Sequence, residues 1–256
     1  MAESISGQVS GVDISAPYGR AVDKILETIQ TYHADAVVMA THGRTGLGHL
    51  LYGSVTEGVL ASTSVPVFVV HARPGQPVQP SFSPSTATVL VPQDGSAFDA
   101  PALQTALDLV GPHGEIVLLT VAQPPEHVQL DESGRHIRAY LDQQEEALTR
   151  AAREHLASIV HALRERQVHV AVKMDVRLGD PTSGIAVAAR DHRADLIVMA
   201  THGRTGLARA VLGSVAGSVL RAVNTPVVLV RPKLAEATID PRTGSARDVL
   251  AATPMF

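Results

Sequence analysis

The residues best suited to chemistry lie in two identical stretches, MATHGRTGL at 39–47 and again at 199–207. Each is followed by a Gly-Ser pair, Gly53-Ser54 and Gly213-Ser214, ahead of an apolar segment with helical spacing. A helix N-terminus carries unpaired backbone N–H groups and a partial positive charge. Glycine and serine there let an anion come close to the backbone. In the second stretch the pattern describes a phosphate cradle made by Gly203, Gly213 and Ser214, with Ser214 read as the N-cap. A ligand-free glycine turn with a helix cap fits the same residues. VPQDGS at 91–96 supplies Asp94 at the end of another apolar run. Its carboxylate suits either a ribose hydroxyl or base amine, or the cap of the turn that follows.

Two copies imply a repeat, and the repeat sets the organisation. The 160-residue offset extends to Ala34-Asp35 with Ala194-Asp195, Val55 with Val215, Pro66-Val67 with Pro226-Val227, and Gly19 with Gly179. Residues 87–231 read as a complete unit of alternating strands and helices: a strand in 88–96 that ends in turn residues, strands near 115–122, 168–176, 195–200 and 226–230, and helices over 101–110, 137–167, 181–192 and 214–223. The fold class is therefore α/β, an open parallel sheet with helices on both faces. Residues 1–72 read as the same unit truncated at its N-terminus. They hold a strand over 9–14, a helix over 19–32, DAVVMA, the loop, a helix from Ser54 and PVFVV. The Pro/Ser-rich stretch 73–86 reads as a linker, and 232–256 as a tail with a short helical pattern at 246–252.

Composition narrows the function classes. The chain of 256 residues has a formal net charge of −4, so it has no basic surplus for a nucleic-acid backbone. It has no cysteine, which excludes disulfides, thiolate chemistry and cysteine-based zinc sites. No apolar run approaches the roughly 20 residues of a membrane span, and MAESISGQVSG has no signal-peptide character. The expectation is a cytoplasmic protein with no nucleic-acid or membrane partner. SGVDIS at 10–15 lacks the second glycine of the SGG-x-D-S phosphate loop of ATP pyrophosphatases and aligns with the wrong strand for one. No P-loop lysine, paired metal-ligand spacing or clear catalytic base is present, which leaves at most slow hydrolysis of a bound nucleotide.

Taken together, LVPQDGS, VLLTVA, DLIVMATHGRTGL and the GSV segment before PVVLV resemble the universal stress protein family. The resemblance covers 87–231 and, in truncated form, 9–72. It implies a doubly wound five-stranded sheet of order 3-2-1-4-5. ATP-binding members of that family carry G-x2-G-x9-G-[ST], which here runs Ala200, Gly203, Gly213, Ser214, with alanine at the first position. By this resemblance Pro92 and Gln93 form backbone walls, and Asp94 and Val121 lie at the adenine and ribose end. Met199 and Ala200 face the ribose, and His202, Gly203, Gly213, Ser214 and Val215 surround the phosphates. Magnesium could accompany ATP near Ser214; no other metal is implied. In the first copy Ala40, Gly43, Gly53 and Ser54 form a vestigial phosphate loop without an adenine side. The first-position alanine also leaves open an interaction module that binds no nucleotide. Ser54 with Glu57 fits a capping box, which Gly217 removes from the second copy. The truncated copy would expose sheet edges. The strands 66–70 and 226–230 are expected to pair, within the chain as a pseudo-dimer or between chains as a homodimer.

Overall fold

The computed structural model describes residues 11–40, 53–71, 82–96, 98–124, 135–201 and 212–231. The first elements are α1 (Ala21–Thr31), β1 (Val37–Ala40), α2 (Ser54–Ser62) and β2 (Val67–Val70). They are followed by β3 (Thr88–Pro92), α3 (Asp99–Leu109), β4 (Glu115–Ala122) and α4 (Arg135–Glu165). The last are β5 (Ala171–Leu178), α5 (Pro181–Asp191), β6 (Leu196–Ala200), α6 (Ser214–Ala222) and β7 (Val227–Val230). One seven-stranded sheet runs β1-β2-β7-β6-β3-β4-β5. The portion β7-β6-β3-β4-β5 is parallel throughout and has the expected order 3-2-1-4-5.

The repeat is structural as well as sequential. Helices α1 and α5 begin and end at positions 160 apart, as do α2 and α6, and β2 and β7. Gly19 and Gly179 both hold positive φ, at 144° and 124°. Gly179 donates its N–H to the Ala122 carbonyl as the chain leaves β5 for α5.

Alternation along the strands sorts the core into two layers. Leu90, Val117, Leu119, Ile197, Met199, Val227 and Leu229 point to one face, under α1, α2, α5 and α6. Val89, Val91, Ile116, Leu118, Val198 and Val228 point to the other, under α3 and α4. The first layer is continuous across the repeat, because Val59, Leu60, Val67 and Val69 pack into the same cluster as Val219 and Leu220. The second layer stops short. Val198 is fully buried, while its counterpart Val38 on β1 is 70% exposed.

The expected strand over 9–14 does not form in its described part: residues 11–14 have no strand structure, and Val12 and Ile14 are exposed. Residues 9 and 10 lie outside the described residues. In the complete unit β5, its counterpart, pairs with β4 along its whole length. Residues 11–14 have no equivalent of β4 beside them among the described residues, so an extended backbone there gains no ladder hydrogen bonds. Instead the Tyr32 hydroxyl, from the end of α1, donates to Asp13 Oδ2 at 2.6 Å. The expected pairing of 66–70 with 226–230 is present: β2 and β7 run antiparallel within the chain. The anticipated helical pattern at 246–252 and most of 73–86 lie outside the described residues.

Candidate functional site

The strand order reverses between β3 and β6. From β3 the chain passes through α3 to β4 on one side, and β6 lies on the other. Ligands of open α/β sheets bind outside the carboxyl ends of the strands at such a switch. Three segments lie at those strand ends: the turn after β3, the end of β6, and the N-terminus of α6.

The turn after β3 is held by its own side chains and by α3. Gln93 is almost fully buried and donates its N–H to the Leu119 carbonyl at 2.7 Å, tying the turn to β4. Its side-chain amide donates to the Pro92 carbonyl at 3.2 Å. Asp94 Oδ1 accepts the Ser96 N–H at 2.8 Å, so this carboxylate does cap the turn that follows it. Gly95 has φ +80°, the left-handed conformation that favours glycine. The residue that sequence reasoning missed is Asp99. Its Oδ2 accepts both the Asp94 N–H at 2.9 Å and the Gly95 N–H at 2.8 Å. Burial drives its carboxyl up to about 7; the neighbouring Asp94 carboxylate adds to the rise, and the two backbone donors oppose it. The signal was legible only as an aspartate five residues after Asp94, in the first turn of a helix.

Beside Gln93, the next residue of β4 beyond the Pro92–Leu119 pair is Thr120. It is 7% exposed, and its Oγ1 has no hydrogen-bond partner. Val121 points to the opposite face and rests on Gly184 of α5, where a Cβ would stand 2.7 Å from a Val121 methyl. A glycine at that helical position is what allows the approach.

The end of β6 is tied to α6. Met199 is buried and Ala200 half-buried, the latter opposite Val230 of β7. Ala200 does not have positive φ, so alanine at the first position of the glycine pattern carries no backbone strain. Thr201 is fully buried; its N–H donates to the Val230 carbonyl, and its carbonyl accepts the Gly213 N–H at 2.7 Å. That bond brings the start of α6 to the end of β6. His202 and Gly203 lie outside the described residues, as does Gly43 in the first copy.

Gly213, not Ser214, is the N-cap of α6. Its backbone is extended (φ −61°, ψ 154°), and its carbonyl accepts the Gly217 N–H. Ser214 is the first helical residue and exposed. The first copy repeats this with Gly53 as N-cap and Ser54 inside the helix, so the expected Ser54–Glu57 capping box is not formed. The cause is the position of the serine, one residue too late to reach the N–H groups it would cap. The effect is that the N-cap residue itself supplies no side chain to these donors at the start of α6.

Of the expected site residues, the fold brings Pro92, Gln93, Asp94, Met199, Ala200, Gly213, Ser214 and Val215 to this one edge, with Val121 at the end of the adjoining strand. In the first copy Ala40 ends β1 and Gly53 and Ser54 open α2, but among the described residues β1 is the sheet's edge strand and has no counterpart of β3 beside it. No group of three or more metal-ligating side chains occurs among the described residues. No described helix is long and apolar enough to cross a membrane.

A family model described as the universal stress protein family matches residues 3–71 and 86–231. The chain belongs to the universal stress protein family. A universal stress protein of Mycolicibacterium smegmatis is 32% identical over 202 residues, covering 78% of this chain and 63% of the relative. One from Mycobacterium tuberculosis is 31% identical over 199 residues, covering 77% of this chain and 62% of the relative. The chain thus spans less than two thirds of the length of these curated relatives. Among solved structures, the hypothetical protein MJ0577 is 27% identical with a TM-score of 0.50, and the match covers 57% of this chain and 96% of that one. A universal stress protein from Archaeoglobus fulgidus has the same fold, with 22% identity, a TM-score of 0.52 and coverage of 82% and 64%.

Proposed function

We propose that residues 87–231 form a complete unit that binds ATP or another adenine nucleotide across the carboxyl ends of β3 and β6, in a stress-related regulatory protein. The observation that carries the reading is that β3, which ends in the Asp94 turn, lies beside β6, whose end is bonded to the N-cap of α6, at the point where the strand order reverses. The leading N–H groups of α6 have no intrahelical acceptors and suit a phosphate chain. Asp94 offers a carboxylate at the base-and-ribose end. Gly203 completes the glycine spacing of the sequence. Ser214 would offer its hydroxyl to a magnesium ion that accompanied the phosphates, with water among the other ligands. Residues 1–72 repeat the later elements of that unit. There the phosphate loop Ala40, Gly43, Gly53, Ser54 has no equivalent of the Asp94 turn beside it among the described residues, and we assign it no nucleotide. The unit is a binding module rather than an efficient enzyme.

Equilibrium dialysis of the purified chain against ATP with magnesium tests this. Saturable binding of one nucleotide per chain is expected. No binding at millimolar ATP would exclude the proposal.

A further inference from the structure

We infer that Asp99 is a positioning residue for the nucleotide site: it clamps the backbone of Asp94 and Gly95 from the first turn of α3, and so sets where the Asp94 carboxylate stands. The inference rests on the nucleotide reading above. One carboxylate oxygen takes two consecutive N–H groups, from Asp94 and Gly95, at 2.9 and 2.8 Å. Those are the residue proposed to meet the base and ribose and the glycine whose positive φ turns the chain there. The clamp is closed from the other side as well. The Asp99 N–H donates to the Ser96 carbonyl at 3.2 Å, and the Ser96 N–H donates to Asp94 Oδ1 at 2.8 Å. The Asp94 side chain is therefore fixed by a ring of bonds that passes through Asp99. Its anchor is rigid: Ala102 and Ala106, on the next turns of α3, are fully buried in the core layer beneath. A loop with a free carboxylate would have to be ordered by the ligand. A clamped one meets it preformed.

A purely structural role for Asp99, holding the turn onto the first residues of α3, would affect every ligand of the site alike. Positioning of Asp94 would affect only ligands that reach the base-and-ribose end. The experiment is calorimetric titration of the full chain with magnesium ATP, together with displacement of ATP by inorganic triphosphate. It compares wild type, Asp99→Ala and Asp99→Asn. Asparagine keeps an oxygen that can accept both backbone N–H groups. Asp99→Ala is expected to weaken ATP by about tenfold or more, the loss of a buried hydrogen-bonded acceptor. Asp99→Asn should recover affinity to within about threefold, and triphosphate should bind all three within about twofold. Unchanged ATP affinity in Asp99→Ala would overturn the inference while leaving the nucleotide reading intact. So would equal losses for ATP and triphosphate, or an asparagine variant no better than alanine. A wild type that binds no ATP overturns the nucleotide reading and this inference with it. Triphosphate that fails to displace ATP from wild type overturns the inference by removing the phosphate end it contrasts with. If Asp99→Ala does not fold, the asparagine variant still decides, since positioning requires it to stay near wild type.

Discussion

Phe68 of β2 stands directly opposite Val228 of β7, and these two residues occupy equivalent positions of the repeat. On either side the pairing is reciprocal: Val67 faces Leu229 and Val69 faces Val227. The antiparallel contact is therefore two-fold about the Phe68–Val228 pair, with the same surface used from both copies. This is the geometry of an isologous dimer contact, built here within one chain.

Because the contact is continuous with a shared core layer, the two copies should not unfold separately. Val69 is fully buried in the cluster that also holds Val227 and Leu229. Val69→Ala removes two buried methyl groups and should cost about 2 kcal/mol. Guanidinium denaturation followed by circular dichroism should show one transition, shifted as a whole to lower denaturant. A first transition shifted alone, with a second unchanged, would show that the repeat halves are energetically independent.

Asp99 gives the stability a pH signature. Its carboxyl is raised from 3.8 to about 7 in the folded state, burial being the main cause. A raised acid binds its proton more tightly folded than unfolded. Its contribution is full below 3.8 and is lost as pH climbs through about 7, with a slope of at most about 1.4 kcal/mol per pH unit. Asp99→Asn should therefore gain on the wild type in unfolding free energy between pH 4 and 7. Asp175 works in the opposite sense. Burial pushes its carboxyl up, but bonds from Arg177 and His192 outweigh this and hold it below its usual value. Arg177 stands 2.8 Å and His192 2.9 Å from the same Asp175 oxygen. Asp175→Asn should lose stability at neutral pH, and the deficit should shrink as acid protonates the wild-type carboxylate. Denaturation midpoints across the pH series would separate the two opposite slopes.

Much of this was legible in the chain itself because the repeat served as an internal ruler. A buried strand with a turn at its end, such as VLVPQDGS, reads the same in isolation as in the fold. The 160-residue register also carried the equivalence of α2 with α6 and of β2 with β7. What sequence could not show was context. Residues 11–14 have the pattern of a strand but no partner strand among the described residues, and they do not form one. Ser214 has the chemistry of a cap but stands one residue inside the helix, a shift of one position that composition does not reveal. Asp99 looks like an ordinary acidic residue in a first helical turn. Only the backtracking of the 94–96 turn shows that its carboxylate is buried under two backbone N–H groups.

The alanine at the first position of the glycine pattern should prove nearly silent. Ala200 lies in β6 opposite Val230 and does not have positive φ, so nothing in its backbone calls for glycine. Ala200→Gly adds unfolded-state freedom and should cost about 0.5–1 kcal/mol of stability. ATP affinity measured by calorimetry should stay within about threefold of wild type, a difference below 1 kcal/mol. A large gain in affinity would mean that the alanine methyl, rather than the backbone, obstructs the ligand.

Gly213 should show the opposite balance between stability and binding. As the N-cap of α6 it is extended at φ −61° and ψ 154°, a conformation open to any residue. Aspartate is a better N-cap than glycine by a few tenths of a kcal/mol, and its charge complements the helix dipole by about 0.3–1 kcal/mol. Gly213→Asp should therefore raise the melting temperature slightly. The same carboxylate would take the α6 N–H groups that a phosphate needs and would repel the phosphate itself. Nucleotide affinity should fall by about tenfold or more, because a like charge replaces an open donor set in a partly desolvated site. The loss should be larger at low salt than at high salt, since screening weakens the repulsion. Thermal melts with and without ATP, at two salt concentrations, would report both effects on one sample. A variant that is stabilised and binds ATP as well as wild type would show that the phosphates do not sit at the start of α6.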